Sequence, residues 1–241
     1  ISGCCRMNPL QRALLEKAGN DHGFEYVLAG TDGVVNLASA RHRAKVCISP
    51  AGTQLMMTFA SPAISLLNNE LARSFPAVTR SGESFVATSQ DALAKHLRRA
   101  AELARALPNQ AVQDYDITLK QELDHLPAGL MGTEVERLVR QRVGQQAFRS
   151  AMLDYWGGAC AVTGLAMPEV LRASHAKPWA ECVSDAERLD VFNGFLLSAN
   201  LDALFDRFLI SFSDSGELLV ATSLSPLSLA SLGLDKPRRL R

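Results

Sequence analysis

Apolar positions along this chain recur with two different periods, and the changes between them outline its elements. Four short runs, FEYVLAG, GVVNLAS, AKVCISP and TQLMMTF, are rich in β-branched and apolar residues and are separated by Asp32-Gly33, Arg41-His42-Arg43 and Ala51-Gly52. This is the pattern of antiparallel strands joined by turns. Ahead of them, Asn8 as N-cap and Pro9 at the first helical position predict a short helix, with Leu10, Ala13, Leu14 and Ala18 on one face and Gly19 at its end. Beyond the strands the pattern predicts a helix near Pro62 to Arg73 and a strand at ESFVAT. Ser89 then caps a longer helix, in which Leu93, Leu97, Ala100, Ala101, Ala104 and Leu107 recur at helical spacing until Pro108.

Residues 109–125 read as a polar helix, and LPAGLMG at 126–132 has the composition of a linker. The expected organisation is therefore an N-terminal α+β module over 1–125, a linker over 126–132 and a second domain over 133–241. In the second domain, Thr133-x-x-Glu136 forms a capping box opening a helix that turns Val135, Leu138 and Val139 inward. Gly144 interrupts that helix, which resumes through Phe148, Ala151, Met152 and Tyr155. Its other face carries Arg137, Arg140, Arg142 and Arg149, either as a solvated face or as one that follows a phosphate backbone. At the ends, the six residues before Met7 read as leader or tag, and LDKPRRLR supplies no obvious closing element.

Composition narrows the function classes. A chain of 241 residues, 47% hydrophobic and 21% charged, is that of an ordinary globular protein. Its 25 basic and 25 acidic residues balance to a net charge of +0, so contacts with phosphate must come from local clusters. No apolar run approaches the roughly 20 residues that span a bilayer, and no secretory signal is present, which makes a cytoplasmic location without membrane partners the default. The five cysteines contain no CxxC pair and suggest free thiols. His22, His42, His96 and His125 have no spacing with acids or cysteines that suggests a metal site. Arg41-His42-Arg43, at a hairpin turn, is either a DNA contact or a basic turn of the common solvated kind.

The chemistry gathers near the C-terminus. The order from Cys160 is turn (CAVTG), strand (EVLRASH), polar excursion (SDAERLD), strand (NGFLLS) and helix (ANLDALFDRF). His175 ends the first strand, Asn193 begins the second and Asp202 lies in the helix, so a strand–strand–helix arrangement brings an imidazole and a carboxylate toward one concavity. Water attacking a phosphodiester needs a base, and histidine, with a reference pKa of about 6.5, is substantially neutral at physiological pH. A carboxylate can hold a divalent cation that neutralises charge on the phosphate and the departing oxygen. The Asn193 amide suits a bracing role, hydrogen-bonding backbone across the loop. Asp206, one turn after Asp202, is the alternative ligand, and Lys177 either meets a phosphate or is simply exposed.

The linked motifs CAVTG, SHAKPW, NGFLLS and LDALFDRF, within roughly residues 133–222, resemble the HNH endonuclease family in its bacterial restriction-type branch. The resemblance implies a ββα-metal finger in which His175 activates water, Asn193 braces the loop and Asp202 takes the place of the final histidine. The sequence departs from the family pattern in three ways. Aspartate at the last position favours Mg²⁺ or Mn²⁺. Ser174 stands where many relatives carry an aspartate as a second metal ligand. Cys160-x-x-Thr163 breaks the cysteine pair of zinc-bearing members, so no structural zinc is expected.

The expected fold class is thus α+β: an N-terminal module with antiparallel strands, serving target recognition, followed by the HNH domain. The expected function is metal-dependent hydrolysis of DNA, double-stranded, in restriction or defence. Arg137, Arg140, Arg142, Arg149 and Lys177 are the candidate DNA contacts, and cleavage of both strands with one site per chain would call for a homodimer. Two other readings use the same residues: a DNA-binding or regulatory protein that has lost activity, for which Ser174 and Asp202 speak, and a nuclease acting on RNA.

Overall fold

A computed structural model describes residues 7–107, 110–126 and 132–241. The chain divides into two compact units, residues 1–110 and 111–241. The fold is mixed α+β with antiparallel sheets, as the patterning predicts.

In the first unit, helix α1 (Pro9–Asp21) opens with a capping box. Asn8 accepts from the Gln11 amide at 2.8 Å, and the Gln11 side chain accepts from the Asn8 amide at 3.1 Å. The helix runs through Gly19 to Asp21 and buries Leu15 and Gly19, while Leu10 and Leu14 are exposed, contrary to the face expected for them. Strands β1 (Tyr26–Leu28), β2 (Val35–Ala38), β3 (Lys45–Ala51) and β4 (Gln54–Ala60) follow, then α2 (Ile64–Ser74), β5 (Arg80–Ser81), β6 (Ser84–Ala87) and α3 (Gln90–Ala106). The six strands form one sheet in the order β1-β2-β3-β4-β6-β5, antiparallel wherever they pair. Val35, Leu37, Val46, Ile48, Met57 and Phe59 alternate with more exposed neighbours and form one buried sheet face, and Leu93, Leu97 and Ala100 of α3 and Leu67 and Leu71 of α2 are buried with them, α3 packing by β6 and α2 by β4. Ser89 caps α3 as predicted, accepting from the Ala92 amide at 3.1 Å. The expected stop at Pro108 lies outside the described residues. His42, in the basic turn, is buried with its ring edge against Phe24, whereas Arg41 and Arg43 are exposed.

The second unit begins with α4 (Gln110–Asp124), which buries Ala111, Tyr115 and Leu119 at helical spacing. The division into compact units falls at the start of this helix, between Gln110 and Ala111. Of the linker expected at 126–132, residues 127–131 lie outside the described residues, as do residues 1–6 ahead of Met7. Helix α5 (Thr133–Tyr155) has Gly132 at its N-cap, one residue before the start that the capping box predicts. Leu138 is exposed, and the inward face is formed by Val143, Phe148, Ala151, Met152 and Tyr155. The helix is continuous through Gly144. A Cβ there would collide with the Trp179 ring, so this glycine is a point of close approach.

The remaining elements are β7 (Leu171–His175), α6 (Asp185–Arg188), β8 (Gly194–Ser198), α7 (Ala199–Phe205), β9 (Ile210–Phe212), β10 (Leu218–Val220) and α8 (Pro226–Ser231). Strands β7 and β8 pair antiparallel and lead into α7, the ββα arrangement that the resemblance implies. Cys160, fully buried, accepts from the Ser198 amide at 3.4 Å and ties the CAVTG loop to the end of β8. The last residues do close against the body of the unit: Leu218 donates to Arg238, Leu240 to Gly216 and Arg241 to Ala161.

Candidate functional site

The register of β7 and β8 places His175 opposite Gly194, with Asn193 one residue ahead of it. A Cβ at Gly194 would run into the Ser174 carbonyl and lie 3.0 Å from the Phe148 ring, so glycine lets the strands and α5 close around the histidine. The half-buried His175 ring stacks on Phe148 with centroids 3.8 Å apart and 20° between planes, and Trp179 presents its edge at 5.7 Å.

One hydrogen bond sets the chemistry of this ring. His175 Nε2 lies 2.8 Å from the carbonyl oxygen of Arg188. A carbonyl only accepts, so Nε2 carries the proton and the lone pair of the neutral ring is on Nδ1. Burial pushes the His175 pKa below its usual 6.5, with the Arg188 carbonyl opposing. The imidazole is therefore neutral at physiological pH and able to accept a proton at Nδ1.

Arg188 is held as firmly as the ring it binds. Its guanidinium donates to the carbonyls of Trp179 at 3.2 Å and Cys182 at 2.5 Å, pairs with Asp185 at 3.0 Å and lies over the Trp179 ring at 5.6 Å. The same excursion is gathered by Asn193. Its Oδ1 accepts from the Lys177 amide at 2.9 Å, and its Nδ2 donates to Glu187 O at 3.1 Å, with Lys177 O and Cys182 Sγ each at 3.4 Å. Residues 177–188 are thus pinned at both ends, and their last carbonyl orients the imidazole.

Ser174 is buried, and its hydroxyl donates to Asp202 Oδ1 at 2.5 Å. Asp202 is half-buried on α7, which is anchored by Leu201 and by Phe205 packing with Phe195 and Phe212. Partial desolvation, and then the Asp202 charge, push the Asp206 carboxyl above its usual value, with Arg207 opposing. Two carboxylates one helical turn apart give a locally anionic oxygen surface. Among the described residues, no group of three or more His, Cys, Asp or Glu side chains converges as a metal site.

The basic residues on and near α5 divide by what they touch. Arg149 donates to the carbonyls of Leu171 at 2.6 Å and Pro168 at 2.7 Å, which fixes the entry to β7. Arg137 pairs with Glu134 at 2.7 Å, Arg140 with Asp185 at 3.4 Å, Arg142 with Glu122 at 2.5 Å and Lys177 with Glu187 at 2.6 Å. These four are solvent-facing pairs, weak enough for a phosphate to displace the carboxylate. Sequence reasoning missed Arg188 and Phe148, because neither a backbone carbonyl nor a stacked ring leaves a mark in residue spacing.

The first unit carries an open cleft of about 520 Å³ lined by Gln11, Leu14, Pro50, Gln54, Leu55 and Gln90 among others, and none of the predicted site residues faces it.

The family model for HNH endonucleases matches residues 160–213, from the CAVTG loop through β7, β8 and α7 to the end of β9. The C-terminal region thus contains an HNH endonuclease domain, which supports a nuclease-type function, that of a hydrolase, and implies a nucleic-acid substrate. No curated protein matches the chain. No helix among the described residues is long and apolar enough to cross a membrane.

Proposed function

We propose that this protein is a divalent-metal-dependent endonuclease that hydrolyses DNA phosphodiester bonds, with double-stranded DNA as its substrate and a restriction or defence setting for its activity. The observation that carries the reading is the Nε2–Arg188 hydrogen bond, which leaves His175 Nδ1 as the free base of a neutral, half-buried imidazole. His175 takes the proton of the attacking water at Nδ1, and the positive charge that develops is shared through Nε2–H with the Arg188 carbonyl. Phe148 fixes the plane of the ring, and Asn193 holds the 177–188 excursion that supplies the carbonyl.

The acidic residues fit a hard cation. Asp202 and Asp206 offer only oxygens, and the Ser174 hydroxyl spends its proton orienting Asp202, so a cation here would keep much of its own water. Asp202 would hold it with Asp206 beside it, Ser174 acting through Asp202. When bound, Mg²⁺ or Mn²⁺ supplies charge neutralisation at the phosphate and the departing 3′ oxygen. Arg137, Arg140, Arg142 and Lys177 exchange their carboxylate partners for backbone phosphates, and the first unit serves target recognition.

The test is cleavage of supercoiled plasmid and of a matched RNA by the purified full chain, with Mg²⁺, Mn²⁺ or EDTA. Metal-dependent nicking of DNA that is lost in His175→Ala supports the reading. Preferential RNA cleavage would replace the substrate, and DNA binding without cleavage in any divalent metal would favour a regulatory protein on a nuclease scaffold.

A further inference from the structure

Phe208 is the one non-glycine residue with positive φ among the described residues, at +56°, and its side chain is 90% exposed. It follows Asp206 by two residues, in the turn that ends α7. Its backbone is fixed there by Phe208 N–H donating to Phe205 O and Leu209 N–H to Leu204 O, both at 2.9 Å. A left-handed residue at a helix end is the usual place for glycine, which adopts that conformation without steric cost. An aromatic residue in this position accepts backbone strain, and here it gains no packing in return, since no other ring stacks on it among the described residues. Non-glycine residues held in this way concentrate at binding sites.

The neighbours indicate what would cover the ring. Arg207 is exposed, its guanidinium donating to Ala203 O at 3.0 Å, and Asp202 and Asp206 lie on the preceding turn. A flat apolar face beside a guanidinium matches a nucleotide, whose base stacks and whose phosphate pairs. We infer that Phe208 is a substrate contact: it stacks on an unstacked nucleobase flanking the scissile phosphate, while Arg207 meets an adjoining phosphate. This rests on the nuclease reading proposed above. The ring then selects DNA that is gapped, or locally opened, at the point of cleavage.

The experiment uses the full chain carrying His175→Ala, so that substrate persists, and measures binding of fluorescent gapped and intact DNA duplexes by anisotropy. Adding Phe208→Gly removes the ring and relieves the backbone, so the thermal midpoint should hold or rise. Binding to the gapped duplex should weaken roughly 5- to 150-fold, the range for one stacked base, with little change for the intact duplex. Phe208→Trp should restore binding, and its fluorescence should be quenched by the gapped duplex. Unchanged affinity for gapped DNA in Phe208→Gly overturns the inference, as does a lower thermal midpoint, which would show that the ring packs within the fold. A shift from dimer to monomer in Phe208→Gly would instead make it a self-association contact. If the His175→Ala chain binds no nucleic acid at all, the nuclease reading falls along with it.

Discussion

Replacing Asn193 by alanine removes the side chain that holds the 177–188 excursion to the end of β8. Two of its hydrogen bonds are well formed, from the Lys177 amide at 2.9 Å and to Glu187 O at 3.1 Å, while the two contacts at 3.4 Å contribute little. At about 1 kcal/mol per bond, with a further 1 to 2 kcal/mol for leaving the half-buried Lys177 amide unpaired, the expected loss is about 3 to 4 kcal/mol. Asn193→Asp should cost at least as much at neutral pH. The carboxylate still accepts from Lys177, but its second oxygen cannot donate and faces the Glu187 carbonyl. Both tryptophans, Trp156 and Trp179, lie in the second unit, so tryptophan fluorescence during urea unfolding of the full chain follows that unit selectively. With a slope of about 2 kcal/mol per molar urea, the midpoint should fall by roughly 1.5 to 2 M. Nuclease activity under native conditions should fall as well, because the Arg188 carbonyl that fixes His175 is no longer held. A midpoint within about 0.3 M of the parent's for both variants would refute the bracing role, since that shift corresponds to less than one hydrogen bond.

Gly144→Ala should destabilise the second unit by about 1 to 3 kcal/mol through the collision with Trp179, although alanine in a helix interior ordinarily gains about 1 kcal/mol over glycine; a raised urea midpoint would contradict the close approach. Arg149→Ala should lower stability while leaving the salt dependence of DNA binding unchanged. Arg142→Ala should do the reverse, reducing the slope of log affinity against log salt by about 1 unit, as binding titrations at several salt concentrations would show. Burial lowers the pKa of both His42 and His96, so the unfolded chain takes up protons first as pH falls below about 6.5. Their contribution is complete above that pH and is lost progressively as pH falls below it; thermal melts should show a falling midpoint on that side, with a smaller fall in His96→Phe, and an unchanged profile would count against the buried neutral ring.

What could be read in the sequence follows from which residues act locally. Asn8, Pro9 and Ser89 mark helix starts because a cap acts on backbone amides two or three residues away, and the four hydrophobic runs identify strands because their alternation is a property of the strand itself. Gly19 and Gly144 misled for the opposite reason. Each looks like a helix break, but what matters is a side chain packed against it from elsewhere, Leu37 for the first and Trp179 for the second. Leu10 and Leu14 have helical spacing, yet the adjoining stripe of Leu15 and Gly19 is the one buried. In the candidate site, His175, Asn193 and Asp202 were legible as residue types in linked motifs. The carbonyl that sets the tautomer of His175 and the Phe148 ring beneath it come from distant segments. Arg149 has the composition of a phosphate contact, and only the fold shows its guanidinium turned onto two backbone carbonyls.

The central claim is that His175 Nδ1 is the base. Single-turnover cleavage of plasmid DNA across pH 5 to 8 tests it most directly, comparing the parent with His175→Ala and with His175→Ala plus added imidazole. The rate of the parent should rise with pH along a limb whose midpoint lies below 6.5, in keeping with the lowered pKa of the buried ring. His175→Ala should lose about 10²- to 10⁴-fold and recover in part with imidazole. Cleavage by His175→Ala at the parent rate, with the same pH limb, would contradict the account.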